Sequence, residues 1–389
     1  MEYTIAKDRR SLTRRGVLWL GLKCDIKCKF CYDENVDKKD KLWLPLDDAK
    51  HALEKFRFYY ENEYVDFMGG EPTLHPRVFE IVGFCASIGL RPTLITHGMH
   101  LADRKRAEAF KAAGVHDFLM SIHGIGENVA RLHGRDVENF DRQVQAIDNL
   151  NALEIPIRFN CILIRDNLCD LSAIVELAKS KNVKIINFLT FNPYFEWRSA
   201  PEIPFQARHS EIMQYLGPAL RLCNEYRIEA NVRYMPICQL KGFESHAFTG
   251  YQLPYDVHEW DYNSWYDRGL NGQPSHEWYY SASAEQKARH SYIHTEKCQN
   301  CAARNICDGF HAQYLARWGA EEAVPYSGEL ISDPIFYIKQ QAKHEYAKGS
   351  APFPARAVEF GPLANITQFN GTDENRAGVR VNLPATRRK

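Results

Sequence analysis

Seven of the eleven cysteines have a spacing or position that suits metal binding, and three of them form the first group. This group is the loop KCDIKCKFCYD, where Cys24, Cys28 and Cys31 follow a C-x3-C-x2-C pattern. Thiolates are soft ligands that bind zinc, copper(I) or iron–sulfur clusters. A structural zinc site has four protein ligands, whereas three cysteines without a nearby fourth leave one metal position open. The loop therefore predicts an iron–sulfur cluster with one iron free for a substrate or cofactor.

The second group lies in KCQNCAARNICDGFH, where Cys298, Cys301 and Cys307 follow a C-x2-C-x5-C pattern. Cys238 precedes them in RYMPICQLKGFE, and four thiolates could saturate one metal centre. A structural zinc ion would suit the same four ligands. We expect Cys238 to be the fourth ligand, with an unligated iron or His311 as the alternatives.

The other four cysteines are scattered singly, and we expect buried structural thiols at Cys85, Cys161, Cys169 and Cys223. The odd cysteine total, with six of the eleven in two tight clusters, argues against a disulfide framework. The 49 basic and 49 acidic residues cancel, so the overall charge indicates neither a nucleic-acid nor an acidic partner. The sequence has no apolar run of about 20 residues and no secretion signal at its start, so we expect a soluble, cytoplasmic protein without a membrane partner.

Apolar runs of strand length alternate with segments of helical period along the first 226 residues. The predicted strands are 16–22, 64–69, 91–98, 116–124, 157–164 and 184–192. The predicted helices are 46–62, 75–89, 102–113, 138–153, 168–181 and 207–226. Parallel strands need crossovers of this length, so the order predicts an α/β fold with a parallel sheet. Periodicity alone does not distinguish six units from eight or from an open doubly wound sheet.

Polar motifs follow the predicted strands at their C-terminal ends, where α/β folds place their chemistry. These motifs are the cysteine loop, GGEP (69–72), THG (96–98), SIHG (121–124) and FNPYFEW (191–197), and Asn160 lies within the fifth strand. Possible general bases near this edge are His97, His100, His123 and Glu196. Their shared location predicts one functional site.

The three-cysteine loop together with GGEP resembles the radical S-adenosylmethionine (SAM) superfamily over roughly residues 14–235. The resemblance implies a partial (βα)6 TIM-like barrel. It also implies a four-iron, four-sulfur cluster held by Cys24, Cys28 and Cys31, whose unique iron is chelated by SAM.

The resemblance further implies positions that bind SAM. The methionine amino group would meet Gly69, Gly70 and Glu71, and the adenine would lie near Tyr32. Strand positions that would touch the methionine or ribose part are Thr96, Ser121 and Asn160.

The C-x2-C-x5-C group looks like the auxiliary-cluster extensions of SPASM and twitch type. A full SPASM pattern continues with a cysteine where this chain has His311, and no cysteine follows Cys307. We therefore expect one auxiliary cluster, also of the four-iron type. The predicted domains are a barrel at 1–235, an auxiliary-cluster domain at 236–315, and a C-terminal extension at 316–389 that packs on the body or is partly disordered.

The implied reaction is one-electron cleavage of SAM to a 5'-deoxyadenosyl radical that takes a hydrogen atom from the substrate, with a flavodoxin or ferredoxin type of reductant as partner. Only about fifteen residues precede the first strand, which favours a small molecule such as a sugar, nucleoside, amino acid or antibiotic precursor over a peptide. A ribosomal-peptide maturase and an enzyme transferring the aminocarboxypropyl group of SAM are the alternatives. The non-enzymatic alternative is an iron–sulfur or zinc protein that acts as an electron carrier or scaffold.

Overall fold

The computed structural model describes residues 9–11, 15–31, 43–60, 62–134, 138–193, 203–252, 265–267, 291–341 and 343–344. The strands within these ranges are β1 (Arg9–Ser11), β2 (Arg15–Trp19), β3 (Tyr64–Met68), β4 (Arg91–Thr96), β5 (Asp117–Ser121), β6 (Ile157–Leu163), β7 (Ile185–Thr190), β8 (Glu229–Arg233), β9 (Ala247–Phe248), β10 (Trp265–Asp267), β11 (Tyr292–Ile293) and β12 (Phe310–His311). The helices are α1 (Leu46–Glu54), α2 (Val78–Ser87), α3 (Arg104–Ala112), α4 (Glu127–His133), α5 (Asn139–Ala152), α6 (Leu171–Ser180), α7 (His209–Tyr226) and α8 (Ala312–Trp318).

One sheet of eight parallel strands dominates the fold, with β2 to β9 side by side in chain order. Helices connect successive strands from β2 to β8, as parallel crossovers require. Two antiparallel ribbons, β1 with β10 and β11 with β12, lie outside this sheet. The predicted α/β class and partial TIM-like barrel are therefore confirmed, and each of the six predicted strands overlaps a strand of the sheet.

The outer face of the sheet forms the hydrophobic core with the helices. Phe67, Leu94, Phe118, Phe159 and Phe188 are all fully buried there. Helix α6 shows how the sequence builds the opposing layer, because its apolar residues recur every three or four positions and are buried. Burying one such large side chain stabilises the fold by about 1.5–3 kcal/mol.

The inner face of the sheet carries a buried ionic layer near the N-terminal ends of the strands. Arg15 Nη1 lies 2.8 Å from Asp66 Oδ1 and 3.0 Å from Thr93 Oγ1. Arg158 Nε lies 2.9 Å from Asp117 Oδ2, and the Thr93 hydroxyl also donates to Asp117. These charges are paired, as burial requires, and they fill the inside of the sheet at the end opposite the predicted site.

Strand β8 was not predicted, because its sequence alternates polar residues that the fold nevertheless buries. Glu229, Asn231 and Arg233 are at most 2% exposed. The Lys343 ammonium lies 2.8 Å from both Glu229 Oε1 and Asn231 Oδ1. Lys343 thus pairs with side chains of β8, and the packing of residues 316–389 on the body stays a prediction.

The prediction of a buried structural thiol is wrong for Cys169. Cys85, Cys161 and Cys223 are buried, but Cys169 is exposed in the 3₁₀ turn Arg165–Asp170 that precedes α6. Among the described residues, no helix is both long enough and apolar enough to cross a membrane.

Candidate functional site

The three-cysteine loop follows β2 and is anchored on α4. Lys27 N donates to His133 O at 2.9 Å, and Lys29 N donates to Leu132 O at 3.3 Å. Within the loop, Cys31 N donates to Cys28 O at 2.9 Å. Backbone hydrogen bonds therefore fix the loop at the C-terminal edge of the sheet.

The GGEP motif packs directly against this loop through backbone atoms. Gly70 N donates to Gly21 O at 3.0 Å, and Glu71 N donates to Lys23 O at 2.7 Å. A Cβ atom on Gly69 would lie 2.0 Å from Gly21 O, and one on Gly70 would lie 2.3 Å from Lys23 O. Gly69 also has a φ of 134°, which favours glycine. Only glycine lets the two segments approach so closely.

The Glu71 carboxylate is buried and accepts hydrogen bonds from several protein donors. It accepts from Thr73 N at 3.0 Å, from Thr96 Oγ1 at 2.7 Å and from His97 N at 3.0 Å, and the Thr73 hydroxyl also donates to it. These bonds fix the strand ends relative to each other. The predicted roles of Gly69, Gly70, Glu71 and Thr96 in binding SAM stay predictions.

His97 connects the cysteine loop to GGEP. Its Nε2 lies 2.9 Å from Asp25 Oδ1 and 3.3 Å from Glu71 Oε2, and its Nδ1 accepts from Met99 N. Burial alone would lower the pKa of His97, but the carboxylates of Glu71 and Asp25 raise it. Both ring nitrogens are therefore engaged, which suits a structural link better than a general base.

Asp25 was not singled out from the sequence, although it directly follows Cys24. It is partly buried and also faces His100, whose Nε2 lies 3.2 Å from Asp25 Oδ2. Burial opposes its ionisation, but the two histidines lower its pKa. The ligand atoms of Cys24, Asp25 and His97 lie within 4.8 Å of one another. Its position inside the three-cysteine loop is the signal in the sequence that could have identified it.

The thiols of the loop suit a cationic metal centre. Burial, followed by the charge of Glu71, raises the pKa of Cys24 to about 12. Burial also raises the pKa of Cys28 well above its usual range, and the neighbouring Cys31 and Cys24 raise it further. The three sulfurs are thus close enough to repel one another as thiolates. A positively charged cluster would relieve this cost, since a coordinating thiol is deprotonated outright.

Polar side chains line up across the concave face of the sheet. Ser121 is paired in register with Asn160, Asn160 with Asn187, and Asn187 with Asn231. Ser121 and Asn160 remain partly exposed. The sequence analysis did not single out Asn187 and Asn231. Once β6 and β7 are aligned, the period-two alternation of strands places Asn187 on the same face as Asn160.

His123 lies beside the cysteine loop as a neutral ring. Its Nδ1 accepts from Ile162 N at 3.2 Å, and its ring meets Phe30 edge-on with centroids 4.9 Å apart. Burial lowers the pKa of His123 to about 3, so it is a weak base. The predictions for Glu196 and Tyr32 lie outside the described residues.

The second cysteine group surrounds one cavity. Cys238, Cys298, Cys301 and Cys307 all line it, together with His294 and Tyr326 among other residues. Burial raises the pKa of Cys238, and the nearby Cys298 and Cys301 raise it further. Their convergence suits a four-thiolate metal centre.

His311, the alternative fourth ligand, does not line this cavity. Its Nδ1 accepts from Gln313 N at 3.3 Å and caps α8.

Residues 20–178 match the family model described as the radical SAM superfamily. The chain is 24% identical over 184 residues to Fe-coproporphyrin III synthase of Methanosarcina barkeri, covering 47% of this chain and 44% of that protein. It is 29% identical over 170 residues to the AdoMet-dependent heme synthase of the same organism, covering 42% of this chain and 47% of that protein. The chain thus spans about half the length of these relatives.

A longer match is to the PqqA peptide cyclase of Rhodopseudomonas palustris, 24% identical over 362 residues and covering 89% of this chain and 94% of that protein. Among solved structures, Streptococcus suis SuiB overlaps with a TM-score of 0.47 at 15% identity, covering 57% of this chain and 49% of that chain.

Proposed function

Since this chain belongs to the radical SAM superfamily and is an enzyme, we propose that it cleaves SAM reductively and uses the resulting 5'-deoxyadenosyl radical to take a hydrogen atom from its substrate. The observation that carries the proposal is the three-thiol loop, which rests on GGEP at the C-terminal edge of a parallel sheet. Family membership implies a four-iron cluster, SAM and an external reductant, for which a flavodoxin or ferredoxin type is our proposal.

Cys24, Cys28 and Cys31 would hold the first cluster. When bound and reduced, this cluster supplies the electron that splits the sulfonium of SAM. The protein holds the loop rigidly, through α4 on one side and GGEP on the other. Ser121 and Asn160 on the concave face would contact the methionine or ribose part, and the buried ionic layer fills the inside of the sheet at its opposite end.

Cys238, Cys298, Cys301 and Cys307 would hold an auxiliary four-iron cluster. The proposal is supported by their arrangement around a single cavity and by the burial of Cys301 and Cys307. The domain division near residue 235 stays a prediction, since β9 extends the sheet past that residue. Zinc in this cavity is the competing occupant, and metal analysis separates the two.

We test the reaction with anaerobically reconstituted protein, SAM and dithionite. The wild-type chain should form 5'-deoxyadenosine, and the triple variant Cys24→Ala, Cys28→Ala, Cys31→Ala should form none. The matched control is Cys169→Ser, which changes an exposed thiol and should keep the activity. Methylthioadenosine as the product would favour aminocarboxypropyl transfer, and zinc with little iron would favour a scaffold protein.

The substrate we propose is a small polar molecule. The concave face around the predicted SAM contacts is polar, since Asn160 and Ser121 are partly exposed there and Asn187 lies beside Asn160 in register. Such a face suits a sugar, nucleoside or amino acid bound next to SAM. A peptide is the second candidate, because the match to a peptide cyclase extends over 89% of this chain.

Isotope transfer separates the two substrate classes. Extract from cells grown in deuterated medium is divided by size into peptide and small-molecule fractions. The fraction that contains the substrate should transfer deuterium to 5'-deoxyadenosine, detected by mass spectrometry. Deuterium from the peptide fraction alone would overturn the small-molecule proposal.

A further inference from the structure

Each of the four cysteine sulfurs at the second cavity makes a hydrogen-bond contact with the protein. Two of the donors are backbone amides: Gly309 N donates to Cys307 Sγ at 3.4 Å, and Tyr326 N donates to Cys301 Sγ at 3.3 Å. The other two contacts are made by side chains, with Thr295 Oγ1 at 3.4 Å from Cys298 Sγ and Gln239 Nε2 at 3.4 Å from Cys238 Sγ. Val324 N adds a backbone donor to Cys238.

The Thr295 hydroxyl contacts the Cys298 sulfur and does not cap the turn that follows it. Thr295 directly precedes the 3₁₀ turn Glu296–Asn300, where a threonine side chain ordinarily caps a backbone amide. It makes no such cap hydrogen bond here. Once Cys298 is a thiolate, only the hydroxyl can donate in this contact.

The Gln239 side chain is oriented by a second partner. Its Nε2 also donates to Glu322 O, which can only accept. The nitrogen must therefore face Glu322 and Cys238, and one N–H serves each of them. The orientation of this amide follows from the contact itself.

We propose that Thr295 and Gln239 set the reduction potential of the second centre by stabilising its reduced form. The inference rests on the auxiliary cluster of the proposed function. An added electron increases the negative charge on the sulfurs, so a donor to sulfur stabilises the reduced form more than the oxidised form and raises the potential. Both residues act through the ligating cysteines and are positioning residues.

The test measures the potential of the second centre alone. The full-length chain carrying Cys24→Ala, Cys28→Ala and Cys31→Ala retains only the second group of ligands. In this background, Thr295→Val and Gln239→Met each remove one donor at nearly constant volume. Redox titration followed by electron paramagnetic resonance should show a more negative midpoint for each. At a fixed potential, the ratio of oxidised to reduced centre should rise roughly two- to fivefold per donor.

Two controls separate this effect from a general disturbance. Thr295→Ser keeps the hydroxyl and should restore the wild-type potential. Gln299→Met makes the same exchange at an exposed position of the same turn and should leave the potential unchanged. Iron content and thermal unfolding establish that each variant is loaded and folded.

Unchanged midpoints in both Thr295→Val and Gln239→Met would overturn the inference. So would an equal shift in Gln299→Met, or a second centre that contains zinc. Formation of 5'-deoxyadenosine by the chain with intact first-group cysteines is scored separately, so failure of the tuning is distinguishable from failure of the reaction.

Discussion

Gly70 shows how a single atom determines whether the first centre can form. A methyl group there would lie 2.3 Å from the backbone oxygen of Lys23, which cannot move without displacing the cysteine loop. The sequence predicted that Gly69 and Gly70 approach a ligand. In the structure, Gly69 approaches Gly21 and Gly70 approaches Lys23, where the chain enters the cysteine loop.

We expect Gly70→Ala to lose the first cluster. Iron should fall from about eight to about four per chain, and 5'-deoxyadenosine formation should cease. The matched control is Gly83→Ala in α2, where the added Cβ would be 3.9 Å from Ala113 O. It should keep full iron and gain about 0.5–1 kcal/mol of stability. Full iron in Gly70→Ala would contradict the argument.

The hydrogen bonds of the Glu71 carboxylate predict how a substitution there changes the free energy of unfolding. Glu71→Gln exchanges one acceptor oxygen for a donor that faces other donors, so the free energy of unfolding should fall by roughly 1–3 kcal/mol. Glu80→Gln changes an exposed carboxylate and should leave the free energy of unfolding nearly unchanged. Urea unfolding measures both. Equal losses in the two variants would show that the buried contacts contribute little.

At the scale of elements, strands β2 to β6 are joined on their inner face by the buried ionic layer. Arg158→Met would leave Asp117 as a buried charge with fewer partners, and unfolding should become easier by about 3–5 kcal/mol. Arg165→Met breaks the half-exposed pair with Glu211 and should cost less than about 1 kcal/mol.

A double variant checks that the cost comes from the unpaired carboxylate. Adding Asp117→Asn to Arg158→Met should recover part of the stability in urea unfolding. If the double variant is as unstable as the sum of the two single variants, the pairing does not explain the loss.

The six predicted strands were recoverable from the sequence because their apolar residues face the helices and repeat with a strand period. Strand β8 was not, because Glu229 and Asn231 read as exposed positions. What makes them compatible with burial is Lys343, which lies 114 residues after Glu229 and is invisible to any local pattern. The grouping of the cysteines could be predicted from their spacing and position in the sequence, whereas the donors to their sulfurs depend on tertiary contacts.

At the scale of the whole molecule, buried neutral histidines should make the protein sensitive to acid. Burial lowers the pKa of His209 and His123 to about 3, and of His133 and His116 to about 4. The unfolded chain binds protons below about pH 6.5, so the free energy of unfolding should decrease as the pH falls from about 6.5 to 4. His97 acts in the opposite direction because its pKa is raised.

We expect His209→Phe to reduce this sensitivity. His209 stacks on Tyr314 with centroids 3.9 Å apart, and phenylalanine can keep that stacking without binding a proton. The stability lost between pH 7 and pH 5 in urea unfolding should be smaller than in the wild type by about 2 kcal/mol. An identical loss in both proteins would show that His209 is not among the groups responsible.

The contact between Lys343 and Glu229 has a practical consequence for anyone who shortens this protein. A shortened protein that ends before Lys343 would leave the buried carboxylate of Glu229 in β8 without the ammonium group that lies 2.8 Å from it. We expect such a shortened protein to fold poorly, because the backbone amide of His344, which also donates to Glu229, is lost together with Lys343.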